Sequence, residues 1–439
     1  MLRATTIGSR GRCVRPAIAL AFVAHLAAAA PCEPSPIEPA SEQRDKVLEQ
    51  ARDAVRSERF VAARSLFHRL TVRQPTDQEA WLGLSLANAW TGCHKEAKAG
   101  FRYMLQLNAH DVEARVALID VLTWETAWNE VRVNLDQGLA LDPHAAALLY
   151  RQARLTYWSG NAPLALDQLN LAVHYGGHDA EVKALRRQLY LEQLRTVMRV
   201  DSFPTGYSNI YTWGMQALQR VDKFELTLGT TLYRHSGGIE DMIVDGRHSL
   251  GVQYHPAIAT TTGLSVGFGA PAHWVPDFET RVWSMFPLVS TLSGFLSYAL
   301  WQFGSHKSVH IFAPALAYTI HDDFSLELRW WSSYVVLHTP SRTGDASRTG
   351  VVHSIGLLGR ARLAPELSVG ASYTYGTQLD ENPIISQLFP LRSHVASFFS
   401  DWAMGNHYGV QPGVSLERRS APYTAVYILS AELGVYWRW

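Results

Sequence analysis

From Arg199 to Trp439 the sequence alternates with a period of two, and that restricts the fold more than any other feature of the chain. In "KFELTLGTTLYRH", Phe224, Leu226, Leu228, Thr230 and Leu232 share one side, and Lys223, Glu225, Thr227 and Gly229 share the other. "DFSLELRWWSSYVVL" sets Phe324, Leu326, Leu328 and Trp330 against Ser325, Glu327, Arg329 and Trp331. "PELSVGASYTYGTQ" sets Leu367, Val369, Ala371, Tyr373 and Tyr375 against Ser368, Gly370, Ser372 and Thr374. Successive side chains of a strand point to opposite faces, so this period marks strands with one apolar face. The runs, about 9–14 residues each, are long for globular strands and suit tilted strands that cross a bilayer. Turn signals separate them: the run from His235 to Gly238, Asp322-Asp323, Ala364-Pro365-Glu366, and the longer "TPSRTGDASRTG" and "LDENPIISQLFP". Counting runs predicts about 12 antiparallel strands over residues 198–439, with 10 to 14 admissible, and an even number suits a closed outer-membrane barrel. The long polar stretches are expected outside the cell and the short turns in the periplasm.

Composition agrees with a membrane barrel. Charged residues are 18% of the chain and aromatics 11%, with 14 Trp and 18 Tyr. A soluble β-sandwich would carry more charge on its outer strand faces. No apolar run reaches the roughly 20 residues of a membrane-spanning helix. Formal net charge is zero, which argues against a nucleic-acid partner. The lumen-side residues are Ser, Thr, Gly, Gln and His with a few Arg and Glu, a mix that fits a lumen packed with side chains and some water. About 12 strands lie below the size that leaves a wide channel.

The stretch "ELGVYWRW" carries the same alternation to Trp439. The odd residues Tyr427, Leu429, Ala431, Leu433, Val435, Trp437 and Trp439 share one face and Ile428, Ser430, Glu432, Gly434, Tyr436 and Arg438 the other, one face to meet lipid and the other the lumen. Glu432, Gly434, Trp437 and Trp439 follow the pattern polar, any, Gly, any, any, aromatic, any, aromatic. That pattern matches the C-terminal signal that outer-membrane barrels present to their assembly machinery, with Trp in place of the usual Phe. Aromatic rings belong at the membrane interface, and a last strand must pair with the first so that no edge is left in lipid.

At the other end, residues 1–30 read as a secretory signal peptide: Arg3, Arg10, Arg12 and Arg15, then the apolar core "PAIALAFVAHLAAAA". Residues 31–43 read as a Pro-rich linker. Cys32 and Cys93 then reach an oxidising compartment; whether they pair is open from the sequence. No Cys/His spacing points to a metal, and no cofactor is expected.

Residues 44–197 are predicted to be helical and repetitive. Trp81, Leu84, Ala97 and Phe101 recur one period upstream as Ala51, Ala63, Phe67 and Pro75, and downstream as Leu118, Leu122, Leu135 and Pro143, then Ala153, Ala165, Leu169 and Ala172. The period is 34 residues, with units starting near Arg44, Gln78, Val112 and Ala146. This resembles the tetratricopeptide (TPR) repeat: small residues where helices approach, large ones in the gaps, and Pro where the second helix stops. "AEVKALRRQLYLEQLRTV", Ala180 to Val197, is expected to be the capping helix. The resemblance implies an all-α solenoid that binds a periplasmic protein or peptide on its concave face, and no chemistry.

Signal peptide, TPR repeats and a barrel, with the pieces "MRVDSFPTGYSN" and "FETRVWSMFPLVSTLSGFLSYALWQF" and the aromatic end, resemble the YaiO family of outer-membrane barrels. The resemblance implies an outer-membrane barrel in contact with lipid and a TPR domain in the periplasm. Exopolysaccharide exporters share the domain order, but their barrels are larger. The expected role is therefore envelope assembly, or polysaccharide or solute transport through protein docking. The alternatives are a small-solute pore gated by the TPR arm, and an enzyme acting on lipid or peptide. The enzyme reading lacks a site. His353 and Ser354 are strand neighbours that point apart, while Asp322-Asp323 and Asp380-Glu381 have turn formation as their explanation. Glu327 and Arg329, two apart on one strand face, are the candidate luminal ion pair.

Overall fold

In the computed structural model the described residues are Cys32, 43–177, 180–203, 209–236, 242–305, 307–321, 323–339, 346–376, 392–420 and 425–439. The signal peptide, most of the linker, Asp322, Asp380 and Glu381 lie outside them. The chain forms two compact units. Among the described residues, one comprises Cys32, 43–153 and 168–177; the other holds the strands, from 180 onward, together with 154–167.

The helices keep the 34-residue phase. The first helices of the four repeats are α1 (Arg44–Arg56), α3 (Gln78–Trp90), α5 (Val112–Trp124) and α7 (Ala146–Trp158). The second helices are α2 (Phe60–Arg73), α4 (His94–Leu107), α6 (Trp128–Leu141) and α8 (Ala162–His174). Each turn between paired helices needs a left-handed residue. It falls at Glu58, Gly92, Thr126 and Gly160, with φ of 58°, 80°, 57° and 87°. Asp77 caps α3 by accepting from the Ala80 N–H at 3.1 Å, and Asp111 caps α5 through Ala114 at 3.0 Å. Ala63, Phe67, Leu84, Ala97, Phe101, Leu118, Leu135, Ala165 and Leu169 are all buried. Gly83 leaves room for the Phe67 ring, which any Cβ there would strike. Trp81 is half-buried and donates Nε1–H to the Pro75 carbonyl at 2.7 Å. Pro143 is exposed in the turn after α6, so it stops a helix rather than packing. Cys32 and Cys93 form a disulfide.

The last helix is shorter than expected. α9 (Ala180–Gln188) ends nine residues before Val197, and the first strand, β1 (Glu192–Ser202), takes up "EQLRTVMRVDS". Thr196, Val197 and Val200 favour a strand, and the full length of β1 is needed to pair with the last strand.

The strands are β1, β2 (Ile210–Val221), β3 (Phe224–Ser236), β4 (Met242–Ala257), β5 (Thr260–Gly269), β6 (Phe278–Val289), β7 (Leu292–Phe303), β8 (Lys307–Phe312) and β9 (Ala315–His321). They continue with β10 (Phe324–Thr339), β11 (Ala346–Ala364), β12 (Leu367–Gly376), β13 (Ser393–Met404), β14 (Tyr408–Ser420) and β15 (Ala425–Arg438). All pair antiparallel with their neighbours, and β15 closes on β1 from Gln193↔Arg438 to Ser202↔Leu429. β8 and β9 both lie between β7 and β10, so they are two halves of one strand. Pro314, which has no N–H to give the ladder, falls in the break. Among the described residues the barrel therefore has 14 strands, not the 12 expected from counting runs. Closure satisfies every edge, which lipid requires.

The outer surface is apolar. Leu228, Leu250, Val282, Leu328, Leu357, Phe398, Val414 and Leu433 project outward, each more than two-fifths exposed. Trp402, Tyr408, Trp437 and Trp439 cluster on β13–β15 at the end where β1 begins and β15 ends, where interface aromatics of a barrel belong. That end has two- to three-residue turns such as Asp222-Lys223 and Ile258-Ala259, and the opposite end carries the longer loops.

Candidate functional site

The lumen holds the chemistry. Charged side chains on the inner face come in wall-hugging pairs. Glu327 and Arg329 are 2.5 Å apart, and the Arg329 guanidinium lies 4.8 Å from the Phe295 ring centroid. The same two-residue spacing brings together Arg199 with Asp201 at 2.8 Å and Glu417 with Arg419 at 2.6 Å. Opposite charges two apart on one strand face are readable in sequence, yet only Glu327 and Arg329 stood out there. The cross-strand pairs were not readable before the register was known. Arg220 faces Glu225 across β2 and β3 at 2.9 Å. Arg247 on β4 reaches Glu279 on β6 at 2.5 and 3.0 Å. This pair spans β5 because Gly267 stands between: a Cβ there would lie 2.7 Å from Glu279 Oε1. Paired charges of this kind fix side-chain positions along the wall rather than adding much stability.

At the loop end one loop enters the lumen. Residues 270–277, between β5 and β6, fold inward. Val275 is 2% exposed and packs on the inward-facing Ile210, Tyr233 and Ile428, beside Ala272 and Trp274. Backbone hydrogen bonds from Gly246 to Pro271, from Ala270 to Gly246 and from Asp277 to Gln302 hold this loop, together with one wall side chain. The carboxylate of Asp245, fully buried, accepts from the backbone N–H of His273 at 2.5 Å and of Trp274 at 3.2 Å. It is also 3.0 Å from His235 Nε2 and from His273 Nδ1. A second apolar cluster, Ala299, Trp301, Val309 and Ile311 with Trp331 and Val335, lines the inner wall nearby.

Nearer the turn end the wall stays polar and leaves a cavity of about 370 Å³ between β1 and β11–β15. Arg195, Arg360, Asp401, Gln411 and Glu432 line it, with Phe399 and Ser368. Phe399 lies flat because Gly370 opposite has no Cβ to collide with its ring. Tyr190, just before β1, sits between two guanidiniums, 4.0 Å from Arg220 and 4.4 Å from Arg438. Arg187 on α9 pairs with Glu366 in the β11–β12 turn.

The other sequence candidates fall as follows. His353 points outward against Ser332, 3.0 Å away, and Ser354 inward and buried, so the two share no face. Of the final-strand residues, Trp437 and Trp439 project outward with ring centroids 5.5 Å apart. Gly434 is buried on the inner face, and Glu432 faces Arg195 across the lumen wall at 4.0 Å. Among the described residues the one group with metal-ligand spacing, Cys32, Cys93 and Glu96, contains the disulfide.

No family model matches the chain, and no curated protein matches it. Solved structures resemble each part separately. The CymD monoaromatic hydrocarbon channel is 9% identical over 58% of this chain and 91% of its own, with a TM-score of 0.42. The Pseudomonas putida toluene transporter TodX is 12% identical over 56% and 89%, with a TM-score of 0.39. A thermophilic TPR protein of Thermus thermophilus is 16% identical over 34% and 81%, with a TM-score of 0.31. No argument about function rests on these likenesses.

Proposed function

We propose that this is an outer-membrane protein whose barrel passes small hydrophilic solutes, with its TPR repeats in the periplasm docking a protein or peptide of the envelope. The carrying observation is the polar cavity with its arginines inside a barrel whose charges are otherwise drawn back to the wall. An inert anchor has no need of such a space. Polysaccharide as cargo fits less well, because a loop folds into the lumen at the opposite end and a polymer needs a wide continuous bore. The YaiO likeness and the assembly role of Glu432, Gly434, Trp437 and Trp439 belong to the same reading and rest on sequence.

The second reading is that of a plugged anchor, and the inward loop 270–277 is the observation that favours it. Single-channel recording in planar bilayers separates the two. The full-length protein, with its folding verified by heat-dependent gel mobility, is compared with Asp245→Ala. That change removes the acceptor of two backbone N–H groups of the loop. Solute passage predicts brief or small openings in the parent and larger, longer ones in the variant. Silence from both folded proteins overturns it and leaves the barrel an anchor.

A further inference from the structure

We infer that the cavity between β1 and β11–β15 is a binding site for a sugar acid, a small polyhydroxylated carboxylate. The inference deepens the solute-passage reading and rests on it for its biological sense. At about 370 Å³ the space falls in the range of roughly 300–1,000 Å³ typical of small-molecule sites.

Its polar groups are unevenly used. Arg360 makes no ion pair among the described residues; its neighbour is the Phe399 ring, whose centroid is 6.0 Å from the guanidinium carbon. Arg195 meets Glu432 only at 4.0 Å, and its Nε is buried without an acceptor. Gln411 gives its amide N–H to Asp401 at 2.8 Å, which leaves its Oε1 buried and without a donor. Asp401 is occupied by that amide and by the Tyr436 hydroxyl at 3.1 Å. What remains open to the cavity is a planar cation, Arg360, and the carboxylate of Glu432, whose side chain is 35% exposed; Arg195 Nε and Gln411 Oε1 are buried out of a ligand's reach. An accessible guanidinium and carboxylate with no close partner mark where a ligand's acceptor and donor atoms fit.

The complement is specific. A carboxylate suits the Arg360 fork, which presents parallel N–H groups to two oxygens. A hydroxyl donor suits Glu432. The C–H face of a pyranose ring suits the face of Phe399, held flat by Gly370. A simple anion would gain nothing from Glu432 or the Phe399 face, and a neutral sugar would leave Arg360 unpaired.

The test is calorimetric titration of the full-length, detergent-solubilised protein with glucuronate, glucose and acetate, alongside current block by glucuronate in planar bilayers. Glucuronate is expected to bind at least ten-fold more tightly than glucose or acetate, and Arg360→Gln to weaken it by about ten-fold or more. Arg360→Lys keeps the charge but loses the fork and is expected to fall between. Gel mobility confirms that each variant folds. Equal binding of glucose and glucuronate, or an unchanged affinity in folded Arg360→Gln, overturns the site. Binding with no conductance keeps the site and sinks the passage reading; conductance with no binding does the reverse.

Discussion

Phe101 in the repeats is fully buried, whereas Phe398 on the barrel is 54% exposed. Both are correct placements of a large apolar ring, because the two regions face different solvents. The repeats bury apolar groups away from water between stacked helices. The barrel turns its apolar face to lipid and its charges inward, where they neutralise one another in pairs. In the repeats local periodicity builds the core; in the barrel it only sorts side chains between two faces, and closure between β1 and β15 makes the structure.

This contrast is open to attack by substitution. The largest expected effect is Phe101→Ala, which should cost the helical unit about 3–5 kcal/mol, while Phe398→Ala leaves no cavity in fluid lipid and should cost the barrel less, at most the transfer energy of about 1.5–3 kcal/mol. Thermal loss of the 222 nm helical signal and heat-dependent gel mobility read the two units separately. Equal costs would break the comparison.

Next is Leu433→Lys on the outer face, half exposed in the structure. A charge toward lipid should cost about 2–4 kcal/mol near the midplane and less near an interface, seen as a lower denaturant midpoint for the folded barrel in vesicles. The same change at an exposed repeat position such as Val133 should be almost neutral in water.

Asp77→Ala removes the cap of α3 and should cost the helical unit about 0.5–2 kcal/mol. Burial alone would push the Asp77 carboxyl up, but the Arg44 guanidinium, 2.7 Å away, and the Ala80 amide hold it below the usual aspartate range. A folded value below the unfolded one gives stability that is complete above about pH 4, the unfolded range, and lost as pH falls through the folded value. The parent helical unit should therefore weaken in acid more steeply than the Asp77→Ala variant, by urea titration followed at 222 nm.

The smallest effect concerns the repeat turn. Thr126 holds a left-handed φ of 57° where Gly92 and Gly160 occupy the matching positions. Thr126→Gly should relieve that strain and stabilise by up to about 1 kcal/mol, as a rise in the helical melting temperature. No gain would mean that Thr126 makes a compensating contact.

The helices were the more legible half. Their starts at Arg44, Gln78, Val112 and Ala146 follow from the repeat itself, because a helix and its neighbour in sequence form most of the packing. The barrel was legible as alternation, and Leu429, Leu433, Trp437 and Trp439 do face outward. The strand number was not. The break at Pro314 and the conversion of residues 192–197 from helix to strand depend on partners far away in sequence. The candidate site was less legible still. Arg195 and Arg360 share a cavity although 165 residues separate them, and nothing near either one announces the other.

By itself, then, the sequence determined a helical repeat of fixed period and a set of two-faced strands, since both follow from backbone geometry acting over a few residues. Tertiary structure alone decided that 14 strands close, that Arg247 reaches Glu279 over Gly267, that Asp245 helps hold an inward loop, and that Arg360 is left without an acid among the described residues. Each of these depends on register and closure, which join residues the chain keeps far apart.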